Sequence, residues 1–216
     1  MTGPNEAGYG VPAGSAGLPA RTEGGPVESE TTRLEAFSDG VMAVIITIMA
    51  LELRVPVAGT LHALRQRLPE LLIYLLSFVF IGIYWNNHHH LLRAAIRISA
   101  GVMWANLNLL FWLSLIPVLT EWIGLDYRDH VPAAVYAIVC LAAGAAYSLL
   151  TMALVRADGP GSPVALALGR DRKGRLSLVA YAGAAGLAAL SPWISYALMA
   201  AVALMWLVPD RRLERR

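Results

Sequence analysis

The stretch that decides the fold is RLEAFSDGVMAVIITIMALEL, residues 33–53. It is apolar and long enough to cross a bilayer, because about 20 helical residues at 1.5 Å rise span the roughly 30 Å hydrocarbon core. It nevertheless contains Arg33, Ser38, Asp39 and Thr47. Polar side chains within a membrane helix are energetically costly, so their presence indicates a function.

A helical projection of this stretch separates two faces. Large apolar side chains form a bulky stripe, which comprises Phe37, Val41, Val44, Ile48 and Leu51. The other side is a small face, which comprises Ala36, Asp39, Gly40, Ala43 and Ala50. Because small residues let membrane helices approach closely, we expect the small face to pack on neighbouring helices, with Asp39 in a packed polar contact. The bulky stripe must then face either lipid or a shared central axis.

A short motif in this stretch resembles a known family. Arg33, Phe37, Ser38 and Asp39 match the RxxxFSD signature, extended as FSDGVMAVIIT, of the transmembrane protein 175 family of potassium channels. The later helices fit the family in order, so the resemblance covers roughly residues 32–208. For the bacterial branch, it implies a six-helix subunit that forms a homotetramer, with the first helix lining the pore and no selectivity-filter loop.

The composition independently predicts a polytopic membrane protein. Hydrophobic residues make up 57% of the chain and charged residues 15%, whereas soluble proteins carry about 25% charged residues. The single cysteine, Cys140, excludes an intrachain disulfide and is interpreted as inert packing within an apolar segment. A lipid bilayer is therefore an expected partner, and the family resemblance implies potassium ions and further copies of the chain as the others, with no nucleic acid.

The predicted fold is all-α, with one six-helix channel domain over residues 31–209 between two tails. Residues 1–30 are rich in Gly, Pro, Ser and Glu, which predicts a disordered tail, and residues 210–216 form a basic cytoplasmic tail. Hydropathy and turn residues place six spans at about 33–54, 70–92, 99–121, 132–155, 176–190 and 192–208. The last two are counted as separate crossings because basic clusters, which prefer the cytoplasm, lie both before and after them. The chain must therefore return to the side that it left.

The same charge rule orients the protein. With the N-terminus inside, 13 of the 17 Lys and Arg residues lie in cytoplasmic segments. Both termini are therefore predicted to be cytoplasmic. Together with the family resemblance, this predicts an integral protein of a bacterial plasma membrane.

In this orientation, three helices bring polar side chains to one depth near the cytoplasmic side. Asp39 lies about 9 Å above Arg33, the second span returns to this depth, and the third begins there. We interpret the layer as a hydrogen-bonded network that fixes the pore helix, a role the resemblance also implies for RxxxFSD. A structural polar contact without influence on gating is the alternative. The candidate network comprises Arg33, Phe37, Ser38, Asp39, Trp85, Asn86, His88, His89 and Asn106.

The assignment of residues to the pore depends mainly on the family resemblance. From the residues alone, Val44, Ile48 and Leu51 would more often face lipid or a core, but in the family this face supplies apolar rings that can gate by dewetting. Thr47 resembles a threonine implicated in cation selectivity. Alternatively, its hydroxyl simply binds the Ala43 carbonyl within the helix.

Other kinds of function receive less support. Consecutive helical residues point about 100° apart, so His88, His89 and His90 cannot converge on one metal ion. The chain has no Gly-rich phosphate loop or nucleophile elbow, so we expect neither an enzyme nor a cofactor. The predicted function is a potassium-preferring cation channel. The alternatives are a secondary transporter that uses Asp39, or a membrane scaffold that transports nothing.

Overall fold

The computed structural model describes residues 30–168 and 171–207, and all regular structure in these ranges is α-helical, as predicted. Apart from Glu30, which begins the first helix, the predicted tails at 1–30 and 210–216 lie outside the described residues. The helices are α1 (Glu30–Leu51), α2 (Leu61–Gln66), α3 (Leu68–Ala94), α4 (Ala100–Ser114), α5 (Ile116–Leu125), α6 (His130–Asp158), α7 (Pro163–Leu168), α8 (Arg172–Leu187) and α9 (Pro192–Leu207).

Four helical segments are long and apolar enough to cross a membrane. They are α1, α3, the combined segment 100–125 and α6. The segment 100–125, which corresponds to the predicted span at 99–121, divides into α4 and α5 at Leu115. Pro117 explains the break, because proline has no backbone N–H and its ring clashes with the preceding turn. Leu115 keeps a right-handed helical conformation, so the chain continues in helical geometry across the break.

Local sequence signals set several helix ends. Ser99 caps α4 by accepting a hydrogen bond from the Val102 N–H at 3.3 Å, and Asp171 caps α8 through the Gly174 N–H at 2.8 Å. Helix α6 ends at Asp158 and is followed by Gly159, whose φ of 95° lies in a region that favours glycine. These helix ends keep the connections short, so that consecutive helices can pack against one another.

Helix α6 is central to the packing. It contacts α4, α5, α8 and α9, and its side chains Tyr136, Cys140 and Leu150 are buried. Helix α1 lies at the edge of the bundle, where it contacts α3, α4 and α5. The helix that carries the RxxxFSD motif therefore has one side against the bundle and one side away from it.

Candidate functional site

The two sides of α1 differ sharply in burial. The side against the bundle buries Leu34, Ser38, Met42, Ile45 and Met49, whose spacing of three or four residues defines one helical face. The bulky stripe lies on the other side: Val44, Ile48 and Leu51 are 55%, 42% and 85% exposed, and Phe37 is 51% exposed. Only Val41 of this stripe is partly buried against the core. The residues predicted to line a pore thus form an uncovered apolar surface within the single chain.

Apart from Asp39, the small face is not covered within the chain, whereas we expected it to pack on neighbouring helices. Ala36, Gly40, Ala43 and Ala50 are exposed, and Asp39 is only partly buried. The core instead takes the larger Met and Ile side chains of α1, which bury more apolar area per residue. The small face therefore lies beside the bulky stripe on the uncovered side of the helix.

The predicted polar layer contains a hydrogen-bonded chain across three helices. The Asn106 amide on α4 donates to Ser38 Oγ on α1 at 2.9 Å, and Asn106 Oδ1 lies 2.7 Å from His88 Nε2 on α3. Ser38 in turn donates to the Leu34 carbonyl at 2.8 Å. All three side chains are fully buried, so water cannot reach them. Each therefore depends on the others for its hydrogen bonds.

A second group lies beside this chain and includes Asp39. His89 Nδ1 on α3 is 2.5 Å from Glu35 Oε1 on α1, and Asp39 lies close to both. Trp85 stacks on the His89 ring, with centroids 6.1 Å apart and planes inclined by 27°. Glu35 was not among the predicted network residues, although its spacing of four residues from Asp39 places both on one helical face.

The remaining predicted network residues lie apart from these contacts. Arg33 and Asn86 are exposed, and no hydrogen bond within the described part of the chain joins either to the network. Phe37 belongs to the exposed bulky stripe instead. The structure therefore brings together Ser38, His88 and Asn106 in one group, and Asp39, Trp85 and His89 in another.

A further buried polar cluster had no counterpart in the sequence analysis. Thr120 Oγ1 on α5 lies 2.7 Å from Ser77 Oγ on α3, which lies 2.8 Å from Tyr136 Oη on α6. Isolated hydroxyl residues in apolar helices form no periodic pattern, so only the helix packing reveals this cluster. It joins α3, α5 and α6 on the side of the bundle that supports α1.

Thr47 is exposed at the edge of the bulky stripe. Its hydroxyl donates to the Val44 carbonyl at 2.8 Å, one residue later than the Ala43 carbonyl that we considered. The bond uses the hydroxyl hydrogen and leaves oxygen lone pairs available on the uncovered side of α1.

An apolar groove lies next to the bulky stripe. Its walls are Phe37, Val44 and Ile48 of α1 on one side and Pro117 and Val118 of α5 on the other. Val118 is 60% exposed. A contiguous exposed apolar surface of this kind marks a site covered by lipid or by another protein surface.

Comparisons with known proteins give this geometry a context. Residues 33–117 match the family described as endosomal/lysosomal potassium channel TMEM175. The chain is 43% identical over 183 residues to a potassium channel of Chryseobacterium sp. (strain P1-3), covering 85% of this chain and 95% of that protein. It is 38% identical over 136 residues to a potassium channel of Streptomyces collinus, covering 59% of this chain and 66% of that protein.

A solved structure is similar over most of the chain. The crystal structure of a lysosomal potassium-selective channel TMEM175 homologue from Chamaesiphon minutus superposes with a TM-score of 0.72 and 28% sequence identity. The match covers 86% of this chain and 99% of that one. Similarity thus extends beyond the RxxxFSD helix to the arrangement of the whole bundle.

Proposed function

The chain belongs to the TMEM175 family of potassium channels, and we propose that it conducts potassium through a pore lined by the uncovered face of α1. The observation that carries this proposal is the burial pattern of that helix. Leu34, Met42 and Met49 fix α1 to the bundle, while Val44 and Ile48 remain exposed on the opposite side. A helix held in this way can present the same apolar residues to a shared axis in every subunit.

Four copies around this axis would complete the pore. The groove between α1 and α5 offers an apolar surface for a neighbouring subunit, and cyclic symmetry would repeat the same contact around the ring. The exposed small face of α1 would then allow close approach between subunits rather than within one. We therefore infer a homotetramer, in which burial of the uncovered side of α1 depends on assembly.

The stripe would act as the gate. Rings of Val44, Ile48 and Leu51 form apolar constrictions that exclude water when narrow, and ions cannot pass a dry apolar neck without losing hydration energy. Thr47 lies on the same uncovered side and would place a ring of hydroxyl oxygens between these apolar rings. Hydroxyl oxygens replace part of an ion's hydration shell, so we expect a preference for potassium of modest size.

The membrane arrangement proposed here has six crossings with both termini in the cytoplasm. Helices α8 and α9 pack on each other and on α6, as expected for a hairpin. Each has 16 residues, about 24 Å of helix, so they would span most of the hydrocarbon core. Arg172, Lys173 and Arg175 at the start of α8 favour the cytoplasmic side of a bacterial plasma membrane.

Recording from purified protein in planar bilayers tests the function. A channel gives discrete, unitary potassium currents that grow with voltage without saturating at a fixed turnover. A secondary transporter that uses Asp39 would give saturable flux coupled to a second ion, and a scaffold would give no current. Absence of unitary currents from correctly assembled protein would contradict the proposal.

A further inference from the structure

We propose that Glu35, Asp39 and His89 form a binding site for a divalent transition-metal ion such as Zn²⁺, which would join α1 to α3. Each residue offers one ligand atom, two carboxylate oxygens and one imidazole nitrogen, and these atoms lie within 4.8 Å of one another. Binding itself does not depend on the proposed channel function. Only its effect on conduction rests on that function.

The geometry already approaches that of a coordination sphere. Glu35 and Asp39 are four residues apart on α1 and so lie on one helical face, opposite His89 on α3. Zinc bonds to nitrogen and oxygen are about 2.0–2.2 Å long, which places ligand atoms about 3–3.5 Å apart. The 2.5 Å contact between His89 and Glu35 would lengthen slightly, and the Asp39 carboxylate would move closer.

A second observation favours cation binding by Asp39. Asp39 Oδ1 is shielded from solvent and accepts no hydrogen bond from the described residues. A shielded carboxylate oxygen without a partner costs free energy, which a bound cation would recover. With a neutral imidazole, the three side chains carry two negative charges, which a divalent ion neutralises.

The surroundings restrict which residues can serve as ligands. His88 is not part of the group of three ligand atoms, and its Nε2 lies 2.7 Å from Asn106 Oδ1. Trp85 stacks on one face of the His89 ring. Arg93 is the neighbouring cation; its Nη1 lies 3.4 Å from His89 Nε2, the nitrogen that the metal would not use. The site thus consists of Nδ1 of His89 and the two carboxylates, and Zn²⁺ with three protein ligands takes water as its fourth ligand.

The donor set selects a chemical class of metal. Imidazole suits Zn²⁺ and its first-row neighbours, whereas Ca²⁺ and Mg²⁺ prefer all-oxygen sites. We therefore expect Zn²⁺ and Co²⁺ to bind and Mg²⁺ not to compete at similar concentrations.

A metal at this site would act on the helix that carries the proposed gate. Coordination by α1 and α3 stabilises the present arrangement of the two helices, and a ligand that binds one conformation shifts the population toward it. Zn²⁺ should therefore raise the thermal stability of the protein. It should also change the open probability of the channel.

Cobalt titration of the assembled, tag-free protein tests the site, because Co²⁺ in a four-coordinate protein site absorbs visible light far more strongly than the hydrated ion. We compare the wild type with Glu35→Gln and His89→Asn, and use His90→Gln as a matched control, since His90 is exposed and is not a ligand. Co²⁺ should give an absorbance that Zn²⁺ displaces in the wild type and the control. Its affinity should fall at least about tenfold in both ligand variants.

The outcomes separate the site from the function. Absence of the cobalt spectrum in the wild type, or equal affinity in a correctly assembled ligand variant, would overturn the site. Cobalt binding that depends on Glu35 and His89, in protein that carries no potassium current, would support the site and contradict only the proposed function. Size-exclusion chromatography identifies the variants that assemble, and two independent ligand variants keep the test decisive.

Discussion

At the scale of single residues, Asn106 holds the inner part of the bundle together. Its amide nitrogen donates to Ser38, so its oxygen faces His88 and must accept the proton of Nε2. In the neutral imidazole, the other ring nitrogen of His88, Nδ1, then has no proton, and no described residue pairs with it. One amide thus fixes both the position of the FSD serine and the tautomer of a buried histidine.

Asn106→Ala removes both hydrogen bonds and leaves Ser38 and His88 without these partners. Unpaired buried polar groups cost about 1–3 kcal/mol each, so the variant should unfold at a clearly lower temperature. Asn108→Ala is the matched control, because Asn108 lies on the same helix, partly exposed and outside this network. Thermal unfolding of both purified proteins is the measurement. Equal stability of the two variants would show that the network contributes nothing.

Thr47 gives a second prediction at this scale, because Thr47→Val keeps the shape of the side chain and removes its oxygen. If the hydroxyl ring contacts permeating ions, the potassium-to-sodium permeability ratio should fall toward one. Thr47→Ser, which keeps the oxygen, should preserve most of the ratio. Reversal potentials with potassium on one side and sodium on the other measure this ratio. If Thr47→Val leaves the ratio unchanged, the hydroxyl has no role in selectivity and serves only in its hydrogen bond to the Val44 carbonyl within the helix.

At the scale of elements, hydropathy and the residues that begin or end helices predict where apolar helices lie, but not which face of each helix is buried. The stretch 33–53 contains two apolar faces of similar strength, one with Met42, Ile45 and Met49 and one with Val44, Ile48 and Leu51. The choice between them depends on α3, α4 and α5, which the stretch itself does not encode. The same limit explains why Ser38, rather than Asp39, lies in the buried network, and why Glu35 was overlooked.

Gly40 tests the proposal that the uncovered side of α1 approaches another subunit. A Cβ added there meets nothing within 4 Å in the chain, so Gly40→Leu is compatible with the isolated subunit. Between close-packed subunits, a leucine should clash, so we expect the tetramer fraction and the current per protein to fall more than about tenfold.

The matched control for this change is Gly186→Leu on α8. Gly186 is also exposed and also has open space around it, and both changes raise helix propensity by a similar amount. Native mass spectrometry of both variants gives the oligomeric state. Tetramers of equal abundance would place Gly40 on a lipid-facing surface.

At the scale of the whole molecule, contacts of charged residues hold the ends of the bundle together, and the proposed assembly would cover the apolar surface that one chain leaves exposed. Ion pairs and backbone contacts tie the ends of the bundle: Arg54 pairs with Glu121 at 3.1 Å, and Asp158 accepts the Ile96 and Arg97 N–H groups at 2.9 and 2.8 Å. In the proposed orientation, the first contact lies outside and the second in the cytoplasm. These contacts anchor the helices around α1, while the bulky stripe remains without cover in one chain.

Cysteine labelling tests the six-crossing orientation. Cys140 is fully buried and should not react, so single cysteines can be introduced into the native sequence. Ser191→Cys, in the turn between α8 and α9, should react with a membrane-impermeant maleimide applied outside intact cells. Gly161→Cys, after α6, should react only once the membrane is opened. The reverse pattern would show the opposite orientation. If both positions react only after the membrane is opened, the turn between α8 and α9 does not lie outside the cell.

The most direct test of the account is the unit conductance of channels altered at Val44. Val44→Asn should ease wetting of the narrow ring and raise basal conductance, whereas Val44→Trp should obstruct it. Ile138 on α6 is similarly exposed, at 51%, and its substitution by Asn or Trp serves as the control. We predict that single-channel recordings, normalised to assembled protein, change in opposite directions for the two Val44 variants and stay constant for the Ile138 variants. Unchanged unit conductance in both Val44 variants would remove the bulky stripe from the pore and contradict the account.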